Sequence, residues 1–132
     1  MARAVQAGAD LVINIAASPY YLGHDTFRQN MFSFMAKKYR IPFMFANQVG
    51  GNDSILFDGS SSVFDKNGKV MARALDFSED VVVFDSKPLQ AVKDSIHNIS
   101  QSDTESILKA LVTGTHNYVT KCGFSKVVIG LS

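Results

Sequence analysis

The chain is expected to fold as an α/β sandwich with a mixed rather than purely parallel sheet. Three observations lead there. Of its 132 residues 46% are hydrophobic, enough to bury a core. Helix-patterned and strand-patterned segments alternate through the first third. A run of short strands then follows, separated by glycine, asparagine and serine. Residues 2–9 suit the end of a helix that stops near Gly8, and "LVINIA" (11–16) is a short apolar run of the kind that forms a buried strand. "ASPYYLGHD" is a loop by composition. Over residues 26–40, Phe27, Met31, Phe34 and Met35 recur at spacings of three and four, which predicts a helix carrying them on one face, ended by Pro42.

"FMFANQV" (43–49) is the next expected strand, followed by "SILF", "SSVFD" and "KVMARAL". The turn "DKNG" (65–68) fits a hairpin because asparagine and glycine tolerate positive φ cheaply. "DVVVFD" (80–85) closes the meander as a further strand. Past Pro88, "LQAVKDSIHNISQSD" has no clean strand period and reads as a connection. A helix follows, with Ser102 or Asp103 as cap, Glu105 in its first turn, a stripe of Ile107, Leu108, Leu111 and Val112, and Gly123 as its stop. "KVVIGLS" (126–132) then begins a strand without neighbours, so the chain reads as cut.

Charge excludes some functions. Thirteen basic against twelve acidic residues leave +1, which gives no electrostatic footing for nucleic acid or a membrane surface. No apolar run reaches the roughly 20 residues that span a bilayer, and the start has no signal-peptide order. One cysteine, Cys122, rules out an internal disulfide and agrees with a reducing compartment. A cytoplasmic protein is expected.

"GADLVINIAASPYYLG", "RIPFMFANQVGGNDSILFDGSSSVFDKNGKV" and "EDVVVFD" together resemble the second half of the nitrilase-type glutaminase domain of glutamine-dependent NAD synthetases. The F-x-G-x-S pattern of Phe57, Gly59 and Ser61 is shared by many nitrilase-fold amidases, whereas the preceding N-Q-V-G-G is the more specific part. Residues 102–132 resemble the start of the ATP-dependent synthetase domain, where a strand ending in "GLS" leads into a pyrophosphatase loop of which only Ser132 is present. The organisation this implies is a partial nitrilase-like α-β-β-α sandwich over 1–86, a linker over 87–101, and over 102–132 the helix and first strand of an ATP-pyrophosphatase-type domain. A nitrilase-fold hydrolase of other specificity would explain 1–86 but not 102–132. A non-catalytic scaffold remnant is the third reading.

The resemblance implies an activity: glutamine is hydrolysed by a cysteine, a glutamate and a lysine, and the ammonia amidates nicotinic acid adenine dinucleotide after ATP has adenylated it. Glutamine, that dinucleotide and ATP with magnesium are the implied partners of the parent enzyme, which is expected to be a homo-oligomer, with no cofactor bound to this chain. The family's three glutaminase residues precede the matched segment, so no catalytic residue is expected here. Ser18 and His24 take the positions that bind the two ends of glutamine, although a lysine or arginine is expected at the second, and a mostly neutral histidine would hold a carboxylate less firmly. Read without the family, Ser18 before Pro19 is a turn residue. Ser132 would belong to the ATP loop. Cys122 is expected to be an inert thiol packed between helix and strand. His24, His97 and His116 are scattered, with no metal-binding spacing. Gly50 and Gly51 are expected to bring the loop near the glutamine pocket or a facing subunit, with Asp53 and Asp58 orienting backbone amides.

Overall fold

The computed structural model describes residues 1–86, 89–92 and 94–131. Helix α1 covers Ala2–Gln6 and leads into strand β1, Val12–Ala16. Helix α2, His24–Tyr39, connects β1 to strand β2, Phe43–Asn47. Strands β3 (Val49–Asn52) and β4 (Ile55–Asp58) form a separate antiparallel hairpin. β5 (Ser62–Phe64) and β6 (Val70–Arg73) complete a four-stranded sheet of order β1-β2-β5-β6. β1 runs parallel to β2 and the other pairs are antiparallel, so the sheet is mixed, as the sequence predicts.

The core lies between α2 and one sheet face, where Phe32 and Ala36 meet Phe43, Phe45 and Phe64. Phe32 packs on Phe43 and Phe45 with ring centroids 4.8 and 4.6 Å apart. Phe43 and Phe45 alternate inward along β2, as a half-buried strand requires. The helical face differs from the expected one. Arg28, Phe32 and Ala36, at spacings of four, are the buried residues of α2, while Phe27 and Phe34 are each 60% exposed and Met31 is also outside. Arg28 is held inside by the Asp58 carboxylate, and Phe32 and Ala36 follow it on the same face at spacings of four.

The β5–β6 turn forms at Asp65, whose carboxylate accepts from the amides of Asn67 and Lys69, both at 2.8 Å. Gly68 alone of the turn pair takes positive φ, 80°, and a Cβ there would lie 2.7 Å from the Ser33 carbonyl.

Three expected elements form differently. Within 80–85 only the end is strand: β7, Phe84–Ser86, pairs with β8, Leu89–Ala91, and Val81 and Val83 are exposed. Asp80 explains the break, because its carboxylate accepts from the amides of Leu75 and Val81 instead of leaving them to a ladder. Part of the expected connection attaches to the sheet edge, where the Arg73 amide donates to Ser95 and the His97 amide to Arg73. Residues 126–131 form no strand, since no described strand lies beside them to complete a ladder. The expected entry into an ATP-pyrophosphatase-type domain is therefore not built as a strand.

Helix α3, Asp103–Lys121, begins as expected, and the cap is Ser102, whose hydroxyl accepts from the Glu105 amide at 3.2 Å. Its inward face is again not the apolar stripe. Ile107, Leu108, Leu111 and Val112 are exposed, and Ala110 is the buried residue. The helix lies on the β3–β4 hairpin. A Cβ on Gly51 would sit 3.4 Å from Asn117 Cβ and 3.8 Å from Gly114 Cα, and one on Gly50 (φ 106°) would meet Asn117 Oδ1 at 2.8 Å. The paired glycines thus serve the close approach of α3. Asn117 Oδ1 accepts from the Gly51 amide at 2.9 Å and Lys121 Nζ donates to the Gly51 carbonyl at 2.5 Å.

Candidate functional site

The chain leaves the sheet at the carboxyl ends of β1 and β2, which sit side by side with Ala16 opposite Asn47. Ser18 follows β1, and its amide donates to Asn47 Oδ1 at 2.8 Å while its carbonyl accepts from Asn47 Nδ2 at 3.3 Å. The side chain of Asn47 therefore acts as one more residue of backbone ladder beyond the end of β1.

Asn47 Nδ2 also approaches Asp58 Oδ1 at 3.4 Å, and the Asn47 amide donates to Ser61 Oγ at 3.0 Å. Asp58 is 2% exposed and is gripped by Arg28, also 2% exposed, through Nη1 at 2.9 Å and a second, very short contact from Nη2. Two-pronged guanidinium–carboxylate pairing of this kind is what allows both charges to be buried. Arg28 lies over the Phe45 ring, 5.5 Å from its centroid, and reaches Asp25 at 3.4 Å. The expectation that Asp58 orients backbone amides is corrected: its carboxylate serves Arg28 and Asn47. Asp53 stands at the exposed hairpin tip with φ 55°.

His24 opens α2 directly after Gly23, which takes φ 79°. Its Nδ1 bonds the Pro19 carbonyl at 2.8 Å, so that nitrogen carries the proton, and the ring stacks on Tyr21 at 3.8 Å. Ser18 thus lies in the loop after β1 and His24 at the start of α2, with the His24 ring tied back to the loop at Pro19. Tyr20, in the same loop, packs edge-on against Phe77 and shares a 3.0 Å hydrogen bond with Ser106 of α3. Between this loop and the start of α3 lies a cavity of about 190 Å³, lined among others by Asp58, Ser60, Asp76 and Gln101. Ser60 Oγ is buried there with no partner among the described residues.

Asp76 fastens α3 to this corner. Burial pushes its carboxyl up, but the Ser100 hydroxyl and amide and the Lys109 ammonium bind it, and the net effect holds it below the ordinary 3.8. The same residue draws Lys109 upward: burial works against the ammonium, and the hydrogen bonds to Asp76 and Glu105 outweigh it. At the sheet edge, the bond to Asp80 raises His97 above 6.5.

The other sequence candidates lie elsewhere. Cys122 caps the end of α3 and is exposed, not packed between helix and strand, because residues 126–131 do not form the strand that would cover it. Ser132 lies outside the described residues. Residues 126–131 form neither helix nor strand, and among the described residues no group of three or more His, Cys, Asp or Glu could hold a metal ion. Among the described residues no helix is long and apolar enough to cross a membrane. The sequence reading missed Arg28 and Asn47. The one available signal for Arg28 was its place four residues before Phe32 on a single helical face.

A helix on a mixed sheet with a strand-end loop poised over a buried polar network is the arrangement of a nitrilase-like half-sandwich. The profile of the family described as carbon-nitrogen hydrolase matches residues 1–92, and the chain belongs to that family. It is 38% identical, over 97% of its length, to the glutamine-dependent NAD(+) synthetase of Synechocystis sp., covering 23% of that protein. It is 30% identical to the glutamine-dependent NAD(+) synthetase of Thermotoga maritima, over 95% of this chain and 27% of that one. The structure of glutamine-dependent NAD+ synthetase from Acinetobacter baumannii in complex with adenosine diphosphate superposes with a TM-score of 0.86 at 31% identity, over 96% of this chain and 24% of that one. The chain spans about a quarter of the length of these relatives.

Proposed function

We propose that the chain forms part of a glutamine-dependent NAD synthetase, contributing the second half of its glutaminase domain and the helix that leads toward its synthetase domain. In this reading the whole enzyme hydrolyses glutamine and uses the ammonia, with ATP and magnesium, to amidate nicotinic acid adenine dinucleotide. The observation that carries it is the extent of the likeness. The hydrolase profile ends at residue 92, yet the likeness to the Synechocystis synthetase covers 97% of the chain and so runs on into α3. A hydrolase of other specificity has no use for that continuation.

Ser18 and His24 face glutamine in this reading. His24 Nδ1 is committed to Pro19, which leaves Nε2 for a ligand carboxylate, and Nε2 donates to it only when the ring is protonated. Grouping 1–86 with the glutaminase and 102–132 with the synthetase belongs to the same proposal, as does homo-oligomer formation, for which the exposed Phe27, Met31 and Phe34 of α2 offer an apolar surface. Cytoplasmic location is likewise part of it. The chain alone is expected to be inactive, since its single thiol, Cys122, is far along the sequence from the glutamine-facing loop.

The test uses the full-length enzyme that carries this segment, incubated with glutamine, ATP, magnesium and nicotinic acid adenine dinucleotide. NAD and glutamate are expected in equal amounts. Amide hydrolysis with no NAD formed under any supply of ammonia would overturn the reading.

A further inference from the structure

We propose that Asn47 is a positioning residue for glutamine: it touches no substrate but fixes the Ser18 peptide, and through it the Ser18–His24 loop, in the geometry that sets the glutamine KM. The inference rests on the proposed function and names the device that holds its binding loop.

The argument begins with the orientation of one amide. Asn47 Oδ1 faces a donor, the Ser18 N–H at 2.8 Å, and Nδ2 faces two acceptors, the Ser18 carbonyl at 3.3 Å and Asp58 Oδ1 at 3.4 Å. Flipping the amide would set oxygen against both acceptors and nitrogen against the N–H, so one orientation is dictated. Asp58 cannot turn away, because Arg28 holds both of its oxygens. Arg28 belongs to α2, whose first residue, His24, holds the Pro19 carbonyl. The network therefore closes on itself: Ser18 to Asn47, Asn47 to Asp58, Asp58 to Arg28, and along α2 back to Pro19. Beyond β1 the Ser18 peptide has left the sheet, and Asn47 supplies the hydrogen bonds that the ladder no longer provides.

Two substitutions separate this role from simple loss of packing. N47A removes both bonds to Ser18 and leaves Asp58 with Arg28. N47D keeps the size and the oxygen that accepts from Ser18, but turns the donor into a carboxylate oxygen facing the Ser18 carbonyl and Asp58. A carboxyl so placed beside another carboxylate and a carbonyl takes up a proton more readily than usual, and once protonated it can donate again.

In the full-length enzyme, N47A is expected to raise the glutamine KM about tenfold with kcat within about threefold, the signature of a mispositioned binding loop. N47D is expected to raise it at pH 8 and to approach the parent value as the pH falls to 6. Hydrogen exchange of the Ser18 amide should quicken in N47A. If N47A does not fold, the acid rescue of N47D decides. A KM within twofold of the parent for both variants would overturn the proposal, and so would a fall in kcat at constant KM, or an N47D effect independent of pH. S18A separates the two layers: an unchanged KM in S18A together with a raised KM in N47A removes the Ser18 side chain from the site and leaves the positioning role intact.

Discussion

Removing Asp58 should do more damage than any other single change near the site. The D58A substitution leaves the Arg28 guanidinium, 2% exposed, with Asp25 at 3.4 Å as its remaining ion partner among the described residues and with an Nε that already lacks a partner there. The guanidinium loses two charge-assisted bonds, and water entering from the cavity that Asp58 lines replaces them only in part. Breaking a buried pair from one side costs about 3–5 kcal/mol, several times what an exposed pair contributes. With a urea slope of about 1–3 kcal/mol/M for a protein of this size, the unfolding midpoint should fall by on the order of 2 M. Urea unfolding of the chain followed by far-ultraviolet circular dichroism measures this directly. The control is the double substitution R28M/D58A, which differs from D58A only in removing the orphaned charge and should recover much of the loss. A D58A midpoint that moves by less than the equivalent of about 1 kcal/mol would refute the reasoning, since the pair would then be behaving as though solvated.

The close approach of α3 gives a second expectation: G51V drives methyl groups into the 3.4 Å gap to Asn117 and should quicken amide exchange along α3 while exchange in β2 stays as it was. Unchanged α3 exchange would mean that the glycines answer to something other than this helix. A third expectation concerns acid. The Asp76 carboxyl is held below 3.8 when folded, so its contribution to anchoring α3 is present above that value and is lost as the pH falls below it through the folded value. Below pH 3.8 the α3 amides should therefore lose protection against exchange more steeply in the parent than in D76N, where Glu105 in the first turn still takes up its proton.

The strands that sequence reading placed well are those whose partners are close along the chain or whose alternation is clean. β2 shows Phe43 and Phe45 inward, and β5 and β6 are joined by a turn whose geometry Asp65 and Gly68 set locally. What was not legible depends on residues far apart. Arg28 lies 30 residues from Asp58, and nothing local says that a carboxylate will meet it inside. Asn47 looked like an ordinary strand end until Ser18, 29 residues earlier, came to lie beside it. Hydrogen-bonding side chains of this kind carry no periodic signal, because one well-placed group is enough and its position is fixed by the fold rather than by its neighbours in sequence.

The two helices show a more general limit. In each the apolar spacing was read correctly as a single face, and in each the face that packs within the described residues is another one: Arg28, Phe32 and Ala36 in α2, and Ala110 with Gly114 and Asn117 in α3. Periodicity reports that an apolar face exists but not which surface it meets. The choice is made by the opposing surface. A hairpin of bare glycine backbone has room for small residues and amide hydrogen bonds, and so selects Gly114 and Asn117 over Leu111. The sheet side repeats the pattern, with Val12 and Ala16 turned toward the α2 core and Ile13 and Ile15 on the opposite, open face, 56% and 84% exposed. Each such side chain forgoes a share of the roughly 1.5–3 kcal/mol that full burial contributes, and the alternation that fills the α2 core is what turns these two isoleucines to the opposite face.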